Sequence, residues 1–302
     1  MIKLACNSLI AIGEDQWMDA EEFVELAYSL RLDAIDFQVD RGLRSRDRDY
    51  LLKLKRASIR RGLPIGFLGI GSGFIGSDTL PGIGVVGIPL PPDELRRRIE
   101  EVKTAVDDAV YMGVPCIRIF GGSMPEATRS RDALWSEMIN SYREVADYAA
   151  GQGVFIGLHN HPPVDAPTGD DIIRILQEID RDNFTFILDT GRWKGSPGTS
   201  PMGVSDPAVD IYRYMEQTAP YATYVRAKIY KIDSGSEEWI DYERVTEILM
   251  SAGFNGTMSI VYEDQGNVCG PQEAIALAVS HLREVIAAGL RSPKIVSKGL
   301  DS

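Results

Sequence analysis

The chain reads as an α/β protein built as a single (β/α)8 barrel, and three observations lead there. Short apolar runs alternate with amphipathic stretches from end to end, the pattern left when parallel strands are joined by crossover helices. Eight such runs occur, near residues 2–7, 33–39, 64–70, 114–120, 154–159, 184–189, 222–229 and 257–262. Two of them end in polar groups, Leu158-His159-Asn160-His161-Pro162 and Leu188-Asp189-Thr190-Gly191. Barrels of this class carry their chemistry at the C-terminal ends of strands, so these two segments mark the candidate site.

The segments between the strands carry helix signals. Helical patterns run from Ala20 to Leu30, Asp93 to Met112, Asp132 to Ala150, Asp170 to Ile179, Asp241 to Ala252 and Pro271 to Ala288. Thr168 precedes Asp170 and Asp171, which puts acidic groups in a first helical turn, where they complement the dipole. Gly113, Gly153 and Gly253 each follow a helical pattern, the usual place for a residue of positive φ. Residues 1–289 are expected to form one domain and residues 290–302 a polar C-terminal tail.

The longest irregular stretch is expected from Gly66 to Pro92. It holds two GxGxxG patterns, beginning at Gly71 and Gly82, but neither opens a helix and prolines crowd the second, so a dinucleotide site lacks its context. The readings that remain are a glycine-rich lid over the barrel mouth or an apolar arm, Ile83 to Leu90, that packs on another subunit.

With 302 residues, 44% of them hydrophobic and 25% charged, the chain can bury one large core. A net charge of -12 argues against nucleic acid as a partner, because phosphate backbones are held by clustered Lys and Arg. A local group of arginines can still override that mean field inside a cleft. Cys6, Cys116 and Cys269 lie far apart without CxxC spacing, which indicates neither a disulfide framework nor a structural zinc. No signal-peptide layout is present, and no apolar stretch approaches the ~18 to 20 residues of a membrane helix, so a cytoplasmic location and no membrane partner are expected.

Five strand ends carry a resemblance: Cys116-Ile-Arg118-Ile-Phe120-Gly-Gly122, Leu158-His159-Asn160-His161-Pro162, Asp189-Thr190-Gly191, Arg226-Ala-Lys228 and Ser259-Ile-Val261-Tyr262-Glu263. In order and spacing the chain resembles the xylose isomerase-like TIM barrels, which include sugar isomerases, ketose 3-epimerases, hydroxypyruvate isomerase and endonuclease IV. The resemblance implies a divalent metal, such as Mn or Mg, held by a Glu on the fifth strand, an acid on the sixth, a His on the seventh and a Glu on the eighth. The metal would polarise a carbonyl while a carboxylate moves a proton on the adjacent carbon. Homo-oligomer formation follows from the same resemblance, with no subunit number fixed.

Only Asp189 survives from that ligand set. His159 stands for the first Glu, Arg226 for the His and Val261 for the last Glu. A guanidinium has no lone pair to offer and a valine has no donor, so the inherited cage is broken and no cofactor is expected; the alternative left open is a rearranged Mn or Mg site that draws on His159, His161 and Glu263. Arg226 is expected to take the metal's role, held by Asp189 and aided by Lys228, with His159 transferring protons near neutral pH. The expected catalytic set is therefore His159, Asp189, Arg226 and Lys228, and the expected substrate-binding set is Arg118, Asn160, His161, Arg192, Trp193 and Glu263.

Plainer readings exist for several of these groups. The two histidines could cap a strand, Asp189 could be a turn former, and Arg192-Trp193 could belong to a surface excursion. Arg44, Arg46 and Arg48 read as a solvated face and His281 as structural. The expected function is a carbohydrate isomerase or epimerase, or a lyase on an oxidised sugar, acting on a small-molecule sugar. The alternative is a non-catalytic sugar-binding or regulatory barrel that lost its metal. Phosphodiester hydrolysis ranks third, because it needs a multi-metal cluster and a basic surface, neither of which is readable.

Overall fold

A computed structural model describes residues 1–8, 18–70, 73–80, 84–121, 131–161, 166–199 and 206–291. In chain order the elements begin β1 (Lys3–Asn7), α1 (Ala20–Ser29), β2 (Ala34–Gln38), α2 (Val39–Gly42), α3 (Arg48–Arg61), β3 (Ile65–Ile70), β4 (Gly76–Leu80), β5 (Gly84–Ile88) and α4 (Pro92–Met112). They continue β6 (Cys116–Gly121), α5 (Arg131–Ala150), β7 (Phe155–Asn160), α6 (Gly169–Ile179), β8 (Phe184–Asp189) and α7 (Ile211–Thr218). The last are β9 (Ala222–Ile229), α8 (Tyr242–Ser251), β10 (Thr257–Tyr262) and α9 (Pro271–Leu290).

Eight strands close into a parallel barrel in the order β1-β10-β9-β8-β7-β6-β3-β2, the (β/α)8 architecture that the alternating pattern predicts. Strand β8 is buried along its whole length and β7 from Ile156 onward. Burial on both faces, by the barrel interior and by the helices, is why these strands read as continuous apolar runs rather than alternating ones. Parallel neighbours in register present their side chains to the same face. The pairings Asp189 with Arg226, Lys228 with Val261, Phe120 with His159 and Gly69 with Arg118 therefore line up one interior surface.

The stretch from Gly66 to Pro92 is more ordered than expected. It opens with barrel strand β3 and continues as an antiparallel hairpin, in which Gly76 faces Ile88 and Leu80 faces Gly84. Val85, Val86 and Ile88 are β-branched and suited to pairing, a signal that the surrounding glycines and prolines mask in the sequence. The expected apolar arm thus coincides largely with β5; Ile83 lies outside the described residues, as do residues 292–302 of the expected tail. Helix α3 also carries a faint signal, because only Leu51, Leu54 and Ser58 of its fourteen residues are buried. Its entry is tied down by charge, with Arg46 and Arg48 paired to Asp108 of α4 and Arg44 to Asp19, so those arginines serve more than solvation.

The expected glycines do adopt positive φ, at 74° for Gly113, 70° for Gly153 and 77° for Gly253. No helix among the described residues is long and apolar enough to cross a membrane. At the start of α6, the Asp171 N–H donates to Thr168 Oγ1 at 3.3 Å and the Asp171 carboxylate accepts the Thr168 N–H at 2.9 Å, a reciprocal cap. Replacing Thr168→Ala should cost about 1 kcal/mol. The expected reading is a lower urea midpoint at unchanged slope; an unmoved midpoint would show the cap to be energetically idle.

Candidate active site

The barrel strands deliver their ionisable side chains to one place. Arg118 from β6, His159 from β7 and Asp189 from β8 are fully buried, and Arg226 and Lys228 from β9 are 2% and 1% exposed. Asp189 is the hub. Its Oδ2 lies 2.9 Å from His159 Nε2, accepts from Arg226 Nε at 3.3 Å and sits 3.6 Å from Lys228 Nζ, while Oδ1 accepts the Gly191 N–H at 2.9 Å. Beyond the end of β10, Glu263 accepts from Lys228 Nζ through one oxygen and from Arg192 Nη2 at 2.7 Å through the other.

Charge state follows from this arrangement. Burial alone would raise the Asp189 carboxyl, but Lys228, Arg226 and Arg192, with the Gly191 N–H, hold it below the usual aspartate range. Glu263 behaves alike: burial raises it, and Lys228 and Arg192 outweigh that and bring it down to about 2. Burial lowers Lys228, and Asp189 and Glu263 partly restore it. His159 is driven well below its ordinary value, by burial first and then by Arg226 and Arg118, and is neutral. An ionised Asp189 can only accept, so the His159 proton resides on Nε2 and Nδ1 carries a lone pair. That Nδ1 has no partner among the described residues, and neither has Arg226 Nη1.

Not every expected site residue faces the charged cluster. Asn160 is committed to the fold: its Nδ2 donates to the Asp189 carbonyl at 3.0 Å and its Oδ1 accepts the Asp189 N–H at 2.7 Å. It staples β7 to β8 and fixes the backbone of Asp189. Trp193 is fully buried and packs between Phe186 and Tyr214, on the outer face of the barrel and away from the cluster. The sequence placed it beside the substrate only because it follows Arg192. His161 does reach the cluster, with its ring 5.3 Å from His159 and 4.7 Å from Phe120. Arg118 lies one layer deeper, bonded to Gln38 and 4.2 Å above the Phe120 ring. His281 rests edge-on against Tyr242, a structural contact.

Residues outside the expected set complete the interior. Gln38 on β2 reaches Arg118 across β3, and the crossing requires glycine at position 69, where a Cβ would collide with both side chains. Asp36 accepts from Tyr224 Oη at 2.8 Å and from the Phe67 N–H at 3.2 Å, and burial pushes its carboxyl up to about 7. Tyr242 Oη donates to the Lys228 carbonyl at 2.6 Å and lies 3.0 Å from Thr190 Oγ1, which accepts the Lys228 N–H at 3.0 Å. The readable signal for Asp36 and Gln38 was a charge and an amide inside the apolar run Ala34-Ile-Asp36-Phe-Gln38.

Residues 24–285 match the family model of the xylose isomerase-like TIM barrel. The chain belongs to that family. Over 164 residues it is 23% identical to the inosose dehydratase of Geobacillus thermodenitrificans (strain NG80-2), a match over 50% of this chain and 54% of that protein. It thus spans about half the length of the curated relative it matches. Among solved structures, an L-ribulose 3-epimerase superposes with a TM-score of 0.69 at 15% identity, covering 100% of this chain and 99% of that one. The D-psicose 3-epimerase of Clostridium cellulolyticum H10, solved with D-tagatose, gives 0.64 at 15% identity, with 96% and 97% coverage. At such identities the likeness is one of fold.

The metal that this family implies can be tested against the donors. Among the described residues no group of three or more His, Cys, Asp and Glu side chains could hold an ion. Asp189 Oδ2 already faces His159, Arg226 and Lys228, and Val261 lines the wall with methyl groups. A dication beside Asp189 would meet a fixed guanidinium and an ammonium in a low-dielectric interior. The residues present do not fit the family's metal.

His161 supplies a pH signature. Burial, Arg192 and Lys228 lower its imidazole to about 3, and His159 is lowered as well. Unfolded imidazoles take up protons below about pH 6.5 while the folded ones stay neutral, so stability is full above that pH and falls as pH drops. Each imidazole contributes a slope of about 1.4 kcal/mol per pH unit. Chemical denaturation of His161→Gln between pH 6 and 4 should show a slope shallower by one imidazole's share; an unchanged slope would mean that His161 protonates freely in the folded state.

Proposed function

We propose that the protein is an enzyme of carbohydrate metabolism that moves a proton beside a sugar carbonyl without the family's metal, as an isomerase, an epimerase or a lyase on an oxidised sugar. One observation carries this reading: a neutral, buried His159 whose Nε2 proton is fixed on Asp189 and whose Nδ1 lone pair is left open, beside a cation with an unsatisfied N–H.

The chemistry follows from those atoms. With the substrate carbonyl oxygen against Arg226 Nη1 and the Lys228 ammonium, His159 Nδ1 removes the proton from the adjacent carbon. The electron pair of the C–H bond moves into the C–C bond, the carbonyl pair moves to oxygen, and an enediolate forms. Arg226 and Lys228 face the new negative charge, and Asp189 faces the imidazolium formed at the same moment. Neither cation has to reorganise, because Asp189 already fixes the Arg226 guanidinium and Glu263 the Lys228 ammonium. Return of the proton to the neighbouring carbon, with the hydroxyl proton of the enediolate passing to its charged oxygen, isomerises the sugar; return to the opposite face of the same carbon epimerises it; and loss of a β-hydroxyl with that proton, as water, makes the reaction a dehydration. The dehydratase relative supports including the last outcome, and the epimerase folds support the second.

The non-catalytic reading rests on the loss of three family ligands, and the same experiment separates it. In D2O, the wild-type protein should place deuterium on one carbon of a turned-over aldose, ketose or keto-sugar, and EDTA should leave the rate unchanged. His159→Asn should lower the rate on the order of 10²–10⁴-fold. Absence of exchange across the panel would favour a binding protein, and loss of activity with EDTA restored by manganese would return the site to the family's metal chemistry.

A further inference from the structure

Five side chains at the barrel mouth form one row of alternating charge: Arg192, Glu263, Lys228, Asp189, Arg226. The links are 2.7 Å from Arg192 to Glu263, the short Glu263–Lys228 contact, 3.6 Å from Lys228 to Asp189 and 3.3 Å from Asp189 to Arg226. Each carboxylate is shared by two cations, so the row ends in a guanidinium on both sides and carries one positive charge too many. Both terminal guanidiniums also keep a buried N–H with no partner among the described residues, Nε of Arg192 and Nη1 of Arg226. Arg226, at 2% exposure, faces the barrel interior by its register with Asp189.

The surplus registers on both imidazoles, which the cations help to hold neutral. It stands out in a chain whose net charge is -12.

A buried cation without a counter-charge destabilises the protein in the absence of ligand. Transfer of a proton from substrate to His159 pairs an enediolate with an imidazolium and leaves the net charge as it was, so a neutral sugar never answers the excess of the row. One carboxylate matches that single excess, whereas a phosphate dianion would exceed it. We propose that the substrate is a sugar acid, a carbonyl sugar that also bears a carboxylate, and that Arg192 Nε binds this carboxylate while Arg226 Nη1 is kept for the carbonyl oxygen. Arg192 suits the distal end of a substrate. It lies in the loop after β8, its side chain is 19% exposed, and its other nitrogens are fixed by Glu263 and, at 2.6 Å, by the Gly198 carbonyl. The division of tasks with Arg226 rests on the proton-transfer reading; the charge balance does not.

Calorimetric titration of the wild-type protein tests it, using neutral ketohexoses such as D-fructose, hexulosonates such as D-fructuronate, and phosphates such as D-fructose 6-phosphate. At least one acid should bind about tenfold or more tightly than its neutral and phosphorylated counterparts, the scale of one charge-assisted hydrogen bond. That advantage should shrink in Arg192→Gln by a similar factor. Neutral or phosphorylated sugars binding as tightly as every acid, no binding by any acid, or an undiminished advantage in a folded Arg192→Gln protein would each overturn the proposal. Binding of an acid without deuterium exchange would instead sink the proton-transfer reading and leave the substrate class standing.

Discussion

The interior of this barrel is organised by one constraint: a fully buried carboxylate must be surrounded by donors. Asp189 meets that demand from four directions, with His159, Arg226, Lys228 and the Gly191 N–H. Each of those donors is thereby oriented. The histidine is held in one tautomer, the guanidinium in one plane and the ammonium between two acids. Asn160 fixes the backbone of the hub itself, and the Thr190–Tyr242 pair fixes the backbone of Lys228. The geometry of the cluster is a by-product of satisfying a single charge.

Within the family the chain keeps the barrel, and in the mechanism proposed above Arg226 supplies the positive charge in place of an ion. A divalent ion polarises a carbonyl from one point and leaves when its ligands are protonated or a chelator competes. A guanidinium spreads its charge over a plane, stays charged at any pH the fold survives, and cannot be extracted. It also brings directed N–H bonds, so the position of the oxyanion is set by hydrogen-bond geometry as well as by field strength. In the proposed mechanism a guanidinium at position 226 leaves no task for acids at positions 159 and 261.

Much of this was legible in the sequence. Strand ends at His159, Asp189 and Arg226 could be placed because parallel barrel strands announce themselves as uninterrupted apolar runs, and any polar residue closing one stands out. The pairing of Asp189 with Arg226 required only the register that the barrel imposes, whereas Glu263 meets Lys228 from beyond the end of β10, outside that register. Asp36, Gln38 and Tyr224 were harder to read, because their partners lie on strands separated by up to 188 residues and no local pattern links them. Trp193 misled through adjacency: residues next to each other at a strand end diverge, one toward the mouth and one toward the helices. The β4–β5 hairpin hid behind glycines and prolines that usually punctuate loops, and α3 behind a face with too few apolar residues to betray its period.

The bare backbone at Gly69 has a reach that its size conceals. It is the gap through which an arginine on one strand touches a glutamine two strands away, and even a methyl group there would force the guanidinium to relocate. Evolution therefore has a lever on the electrostatics of this pocket that touches neither acid, base nor ligand. Descendants of the fold could retune what they admit by editing a residue with no functional group at all.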